Sequence, residues 1–272
     1  MSDWKSAAPP QVRIGPAGWF RALGRGAVLG LVVYGGLVVL LLLRLIERPL
    51  YGDVRPWTPH IIQWVCRAAF AILGMRMLVK GVPMSAPGAI VANHASWMDI
   101  FALNAAARLY FVAKSEVESW AGIGWLARAT GTLFIARKGV EAKRQQMAFE
   151  HRLRIGHKLV FFPEGTSTDA IRILPFKSTL FAAFFTAETP EPLQIQPVTV
   201  IYHAPVGEDP RHYGWWGDMT FAPHLLKVLA DARPGRVEVI FHPAVPVRAF
   251  ADRKSLAAHC ERVIRTSHGL AN

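Results

Sequence analysis

Acidic residues are scarce in this chain of 272 residues: 19 Asp and Glu stand against 31 Lys and Arg, giving a formal net charge of +12 and a pI near 10.2. Such a balance disfavours cationic partners and favours anionic ones: lipid head groups, phosphorylated small molecules or nucleic acid. Cysteine is scarcer still. Cys66 and Cys260 are the only two and no CxxC occurs, which excludes a disulfide scaffold, a zinc ribbon and thiolate metal chemistry and fits a reducing compartment. Charge of either sign is short, at 18% against about 25% in soluble domains, while 52% of residues are hydrophobic. A disordered chain is thereby excluded and contact with lipid is indicated. No internal repeat, low-complexity tract or nucleic-acid-binding motif is present, and the length suits one compact domain with an appendage.

The apolar excess is concentrated. Gly26 to Leu43 carries no charge over 18 residues, with Arg21 and Arg25 before it and Arg44 after it. As a helix this run is about 27 Å long, just short of a ~30 Å hydrocarbon core. A cleaved signal peptide fits poorly, because no A-x-A-like site follows. A spanning helix, a re-entrant interfacial anchor and a buried core helix all remain open. Basic residues flank both ends (Lys5, Arg13, Arg21 and Arg25 against Arg44, Arg48 and Arg55), so charge asymmetry sets no orientation. His60 to Leu73 reads as an amphipathic helix whose polar stripe is Gln63 and Arg67, stopped by Gly74. The two segments form either a membrane-seated hairpin, with Trp57 and Trp64 as interfacial aromatics, or an anchor plus a helix packed on the globular part. The domain boundaries follow: a basic tail over 1–25, an anchor and amphipathic helix over 26–73, and an α/β domain over 74–272.

Beyond residue 74, short β-branched runs alternate with helix-length segments. Strands are expected at Met75–Lys80, Ala89–Ala92, Leu109–Ala113, Thr132–Ile135, Leu159–Phe162, Ile195–Ile201 and Val237–Phe241. Helices are expected at Trp97–Ala106, Val117–Ala129, Val140–Ile155, Ser178–Thr186, Pro223–Ala230 and Arg253–Ser267. The fold class is α/β, a mixed sheet flanked by helices, and ligands in such folds gather where strands run into loops.

Three such loops carry chemistry. In NHASWMD, His94 and Asp99 are five residues apart and would diverge on a continuous helix. If the chain leaves its strand at His94 and starts a helix near Ser96, the Asp99 carboxylate can fold back on the imidazole. It would then fix the tautomer and leave the other ring nitrogen free to take a proton. The competing explanation is a helix cap at Ser96-x-x-Asp99. In FPEGTST, Gly165 and Thr166 can line an anion or an oxyanion with amides and a hydroxyl, or simply make a turn. In GTLFIAR, Arg137 stands at a strand end and can fork onto phosphate or carboxylate. Residues 137–158 hold seven basic against two acidic side chains, a solvated face or one that rests on anionic lipid or an acidic carrier protein. The letters Gly122-Ile-Gly-Trp-Leu-Ala127 imitate a dinucleotide fingerprint but lie inside a helical segment rather than after a strand.

NHASWMD, GTLFIAR, FPEGTST and the QPVTV of residues 196–200 come in an order and spacing that resembles the glycerolipid acyltransferase family, typified by 1-acyl-glycerol-3-phosphate acyltransferase; the likeness covers about residues 75–245. The resemblance implies that His94 is the general base for an acceptor hydroxyl and Asp99 its orienter. It implies that Arg137, Glu164, Gly165 and Thr166 contact the acceptor head group, and that Lys114 matches a basic position near donor and acceptor phosphates. One departure stands out: Ser167 occupies the place of an arginine in the family's FPEGTRS, which weakens the case for a phosphate monoester. AKSEVESW, FPEGTSTDA, LPFKSTLF and WWGDMTFAPHL are similar to the branch that acylates lyso-ornithine lipid, an aminolipid without phosphate. The activity implied is transfer of an acyl group from acyl carrier protein or coenzyme A to a lysolipid hydroxyl, with no cofactor and no metal. The setting implied is an anionic membrane, at the cytoplasmic face of a bacterial inner membrane. Alternatives are the phosphatidic acid-forming reaction and, more distantly, a thioesterase or lipase, although no G-x-S-x-G elbow exists. A basic binder of nucleic acid rests on net charge alone.

Overall fold

The computed structural model describes residue 4 and residues 13–120, 122–135, 142–185 and 193–270. Seven strands form one continuous path: β1 (Arg76–Lys80), β2 (Gly88–Ala92), β3 (Tyr110–Lys114), β4 (Leu133–Ile135), β5 (Lys158–Phe161), β6 (Gln194–His203) and β7 (Arg236–Phe241). Their order is β1-β7-β6-β2-β5-β3-β4, and a short β8 (Val245–Pro246) pairs with β6 off this path. Only β6 against β7 and β6 against β8 run antiparallel; the other pairings are parallel, so the sheet is mixed. Every residue of β2 is buried. Its alternate side chains feed two cores: Ile90 and Ala92 pack with Val198, Val200, Met98, Leu103 and Phe70, whereas Ala89 and Val91 pack with Leu159, Phe161, Leu153, Phe181 and Leu256. A strand covered on both faces reads as a continuous apolar run, which is what GAIVA shows.

The helices are α1 (Pro16–Tyr51), α2 (Thr58–Leu73), α3 (Asp99–Ala106), α4 (Ile123–Ala129), α5 (Ala142–Arg154), α6 (Phe221–Ala230) and α7 (Arg253–His268). Several expected helices differ in detail, α6 by starting at Phe221 rather than Pro223. The segment 117–129 splits into a 3-10 turn at Ser115–Ser119 and α4, because Gly122 takes φ +74 and Gly124 packs so closely on the Glu118 carbonyl that no Cβ fits there. Ser178–Phe184 is a 3-10 helix, and α3 starts at Asp99 rather than Trp97. The dinucleotide-like letters fall on α4 and its N-terminal turn.

α1 is long and apolar enough to cross a membrane, with only 11% of its most apolar window buried. It begins at Pro16, ahead of the uncharged run, and continues to Tyr51. Both its ends are tied to the α/β body through the termini of other helices. Near its start, Arg21 donates to the Ala230 carbonyl (3.0 Å) and Arg25 to those of Leu229 and Asp231 (3.1 and 2.7 Å), satisfying the C-terminal carbonyls of α6. Near its end, the fully buried Glu47 accepts from the amides of Trp57 (2.6 Å) and Thr58 (3.0 Å) and from the Thr58 hydroxyl (2.8 Å), capping the start of α2 from outside. The polar stripe of α2 has the same use: Gln63 and Arg67 both donate to the Ala105 carbonyl at the end of α3 (3.3 and 2.9 Å). α2 packs on the globular part through α3 and lies against α1 as well; Trp64 is 61% exposed, and Phe20, Leu23, Leu31, Val38, Leu42 and Leu45 form an exposed apolar stripe on α1.

Candidate active site

β2, β5, β3 and β4 lie side by side and parallel, so their C-terminal ends share one edge of the sheet. His94 follows β2, the Glu164–Thr168 loop follows β5, and Lys114 ends β3 as an exposed side chain. β4 ends at Ile135, and Arg137 lies outside the described residues.

The chain leaves β2 in an irregular turn and enters α3 at Asp99, which brings the carboxylate back onto the imidazole: His94 Nδ1 and Asp99 Oδ2 are 2.7 Å apart. Asp99 is fully buried and the same Oδ2 accepts from the amides of Ala95 (2.8 Å) and Ser96 (3.0 Å). The expected cap at Ser96-x-x-Asp99 is not formed: α3 starts at Asp99 with Met98 as its N-cap and no side-chain cap bond, and Ser96 Oγ has no partner among the described residues. One oxygen thus both braces the turn before α3 and orients the histidine. The ring of His94 stacks on Phe162 at 4.1 Å between centroids and 11° between planes, and its Nε2 makes no hydrogen bond among the described residues.

Surrounding loops hold this turn rigid. Glu164, 2% exposed, accepts from the His94 amide with one oxygen and from the Leu174 amide with the other, both at 2.6 Å. Its carboxylate therefore clamps two loops. Burial pushes its pKa up to about 8, against the pull of the two amide donors. The Thr168 amide and hydroxyl donate to the His94 carbonyl (2.9 and 3.2 Å), and the Trp215 amide is shared between the carbonyls of Ala95 and Thr168 (3.0 and 3.1 Å). The Asn93 amide group exchanges two 2.8 Å bonds with the backbone of Val200 in β6. Trp97 donates to His224 Nδ1 (2.9 Å), a ring whose pKa burial lowers to about 3, so it stays a neutral acceptor.

Gly165 has φ +74, and its amide closes a turn onto the Phe162 carbonyl (3.1 Å). The amides of Thr166 and Ser167 make no hydrogen bond among the described residues. Lys177 arches over this turn, near enough that a Cβ on Gly165 would lie 2.5 Å from its Nζ. The sequence string LPFKSTLF contained this lysine, but nothing in its spacing pointed to Gly165; a lone lysine before a helical segment has no signature. At the arginine position of the family motif, Ser167 is largely buried, and the nearby Arg172 is already bound by Asp169 through Nε (2.9 Å to both oxygens) and Nη2 (2.8 Å). Among the described residues, no group of three or more His, Cys, Asp and Glu side chains is arranged to hold a metal ion.

A strand-end histidine backed by a buried carboxylate, with one ring nitrogen open and unpaired amides nearby, is an arrangement able to take a proton from a hydroxyl and to receive an oxyanion, and the class it belongs to is given by its relatives. The chain belongs to the acyltransferase family, whose family model, described as Acyltransferase, matches residues 76–201. It is 57% identical over 267 residues to the lyso-ornithine lipid O-acyltransferase of Rhodobacter capsulatus, covering 98% of this chain and 97% of that protein. The protein of the same description from Rhizobium meliloti is 36% identical over 220 residues, 76% of this chain and 74% of its own length. The crystal structure of the 1-acyl-sn-glycerophosphate acyltransferase PlsC from Thermotoga maritima shares the fold, with a TM-score of 0.66 at 20% identity over 93% of this chain and 95% of that one.

Proposed function

We propose that this acyltransferase moves a fatty acyl group from a thioester of acyl carrier protein or coenzyme A to the free hydroxyl of lyso-ornithine lipid. The observation that carries the acceptor assignment is the near-full-length similarity to the Rhodobacter capsulatus enzyme. The site supports it: the motif arginine is replaced by Ser167, Arg172 is paired with Asp169, and Lys177 places an ammonium over Gly165. One ammonium suits a carboxylate better than a phosphate dianion.

Nε2 of His94 removes the proton from the acceptor hydroxyl as its oxygen attacks the thioester carbonyl carbon. The tetrahedral oxyanion is received by the amides of Thr166 and Ser167, each such donor contributing about 2.7–4 kcal/mol. Collapse breaks the carbon–sulfur bond, and the thiolate takes the proton back from His94, so no acyl-enzyme forms. Lys114 and Arg137 are assigned to the anionic parts of the two substrates; Glu164 holds the His94 turn in place. The protein is membrane-associated through α1, lying at the cytoplasmic face, where carrier thioesters occur. α1 rests along the body as a monotopic anchor, because both its ends are bonded to that body and its outward stripe is apolar.

The test is a side-by-side assay of the purified protein in mixed micelles with lyso-ornithine lipid or 1-acyl-glycerol-3-phosphate as acceptor. Ornithine lipid formation is expected to dominate, and preference for the phosphate acceptor overturns the assignment. His94→Ala is expected to lower the rate by about 10²–10⁴-fold with the fold intact.

A further inference from the structure

The three donors that reach the Asp99 carboxylate all converge on Oδ2, whereas Oδ1 lies in the dry interior with no hydrogen bond among the described residues. A second such group is buried close by: the hydroxyl of Tyr202, 5% exposed as a residue, makes no hydrogen bond of ordinary geometry among the described residues, and Asp99 is the side chain placed to accept from it. Tyr202 belongs to β6 and packs in the same core as Val198 and Val200, the core that α3 covers with Ala102 and Leu103 and that Met98 joins from the preceding turn. Asp99 is the first residue of α3, and the Asn93 bonds to Val200 fix β6 in register with the 93–99 turn. Burial, together with the neighbouring Asp99 charge, holds the phenol well above its ordinary pKa, so Tyr202 is a protonated donor throughout the working range. A buried carboxylate oxygen and a buried hydroxyl each need a partner, and each is the other's complement.

We propose that Tyr202 is a positioning residue whose hydroxyl donates to Oδ1 of Asp99, completing a Tyr202–Asp99–His94 chain in which the carboxylate is held by both oxygens. The proposal deepens the catalytic reading of His94 and rests on it for its effect on rate, although the pairing itself is measurable without turnover. Other titratable groups facing this chain are Glu164 across the His94 turn, His224 behind Trp97, and Tyr213, whose ring lies 5.9 Å from Tyr202 with His212 and Asp231 beyond it. The competing donor is Ser96 Oγ, also buried and orphaned.

Tyr202→Phe keeps the ring and removes only the hydroxyl. It is expected to lower kcat about tenfold with KM unchanged, as befits loss of a hydrogen bond to a charged group. The acid limb of the pH profile of kcat/KM is expected to move up by roughly half to one unit, since the carboxylate charge is no longer shared with the phenol. Thermal unfolding supplies the second readout: Tyr202→Phe lowers the midpoint in the native background but not beside Asp99→Ala. An unmoved acid limb together with an unchanged or raised midpoint in Tyr202→Phe overturns the proposal, as does a Ser96→Ala variant that reproduces both effects when Tyr202→Phe does not. Full activity in His94→Ala overturns the catalytic reading, while coupling of Tyr202 and Asp99 in unfolding still establishes the pair.

Discussion

At the scale of the residue, one carboxylate orients and another braces. Asp99 spends Oδ2 on His94 and on the Ala95 and Ser96 amides of the turn before α3, and Glu164 spends both of its oxygens on backbone amides. The brace has a pH signature. With its pKa pushed up to about 8 by burial, Glu164 binds a proton in the folded chain that the unfolded chain has released above its ordinary value of 4.5. The stability this proton contributes is complete below about pH 4.5 and is lost as pH rises through about 8. Glu164→Gln is therefore expected to flatten the fall of the thermal midpoint between pH 5 and pH 8.5, at a cost of about 1–3 kcal/mol for the amide left without an acceptor. An equal slope in the variant refutes the raised pKa. The pairing of His94 with Asp99 was legible in the sequence because a strand-to-helix turn can close their spacing. The places of Lys177 and Tyr202 were not, because each lies across the fold from the residue it approaches and no local pattern links the two.

Among the elements, the recurring device is a charged or polar side chain from one helix satisfying the open terminus of another. α1 supplies Glu47 to α2 and Arg21 and Arg25 to α6, and α2 supplies Arg67 and Gln63 to α3. Each bond fixes a position that apolar packing alone would let slide. Glu47→Ala strips the first turn of α2 of its acceptor and leaves Arg44 without its buried carboxylate, so a loss of about 3 kcal/mol is expected, read as a lower thermal midpoint and faster proteolysis near residues 52–57. Element type was largely legible: all seven strand runs beyond residue 74 form, because their β-branched, apolar composition suits a sheet covered on both faces. Segment 117–129 was misread as one helix because its apolar periodicity runs through Gly122, and only the close approach of Gly124 to Glu118 reveals the break. The stripe of Gln63 and Arg67 resembled a solvated face, and its acceptor at Ala105 is set by tertiary packing alone.

For the whole molecule, the bonds at both ends of α1 hold those ends to the rest of the fold, and the monotopic arrangement proposed for it puts them on one side of the bilayer together with the active site. Single cysteines introduced near Ala17 and at Asp53 are expected to react with a membrane-impermeant maleimide from the same side in oriented vesicles, and labelling from opposite sides refutes the monotopic arrangement. The fold class was legible from the alternation of strand and helix; the resting place of the apolar run was not, since 18 uncharged residues serve equally to span and to lie along a surface. The Trp215 amide that joins the Ala95 and Thr168 carbonyls has a temporal consequence. During synthesis the apolar helix leaves the ribosome long before residues 215 and 224, and until the Trp215 amide and the His224 ring arrive the turn around His94 lacks two of its ties. On the proposed membrane association, the apolar helix is available to lipid before the turn around His94 is complete, so activity is expected only from a chain whose anchor has already had access to the bilayer.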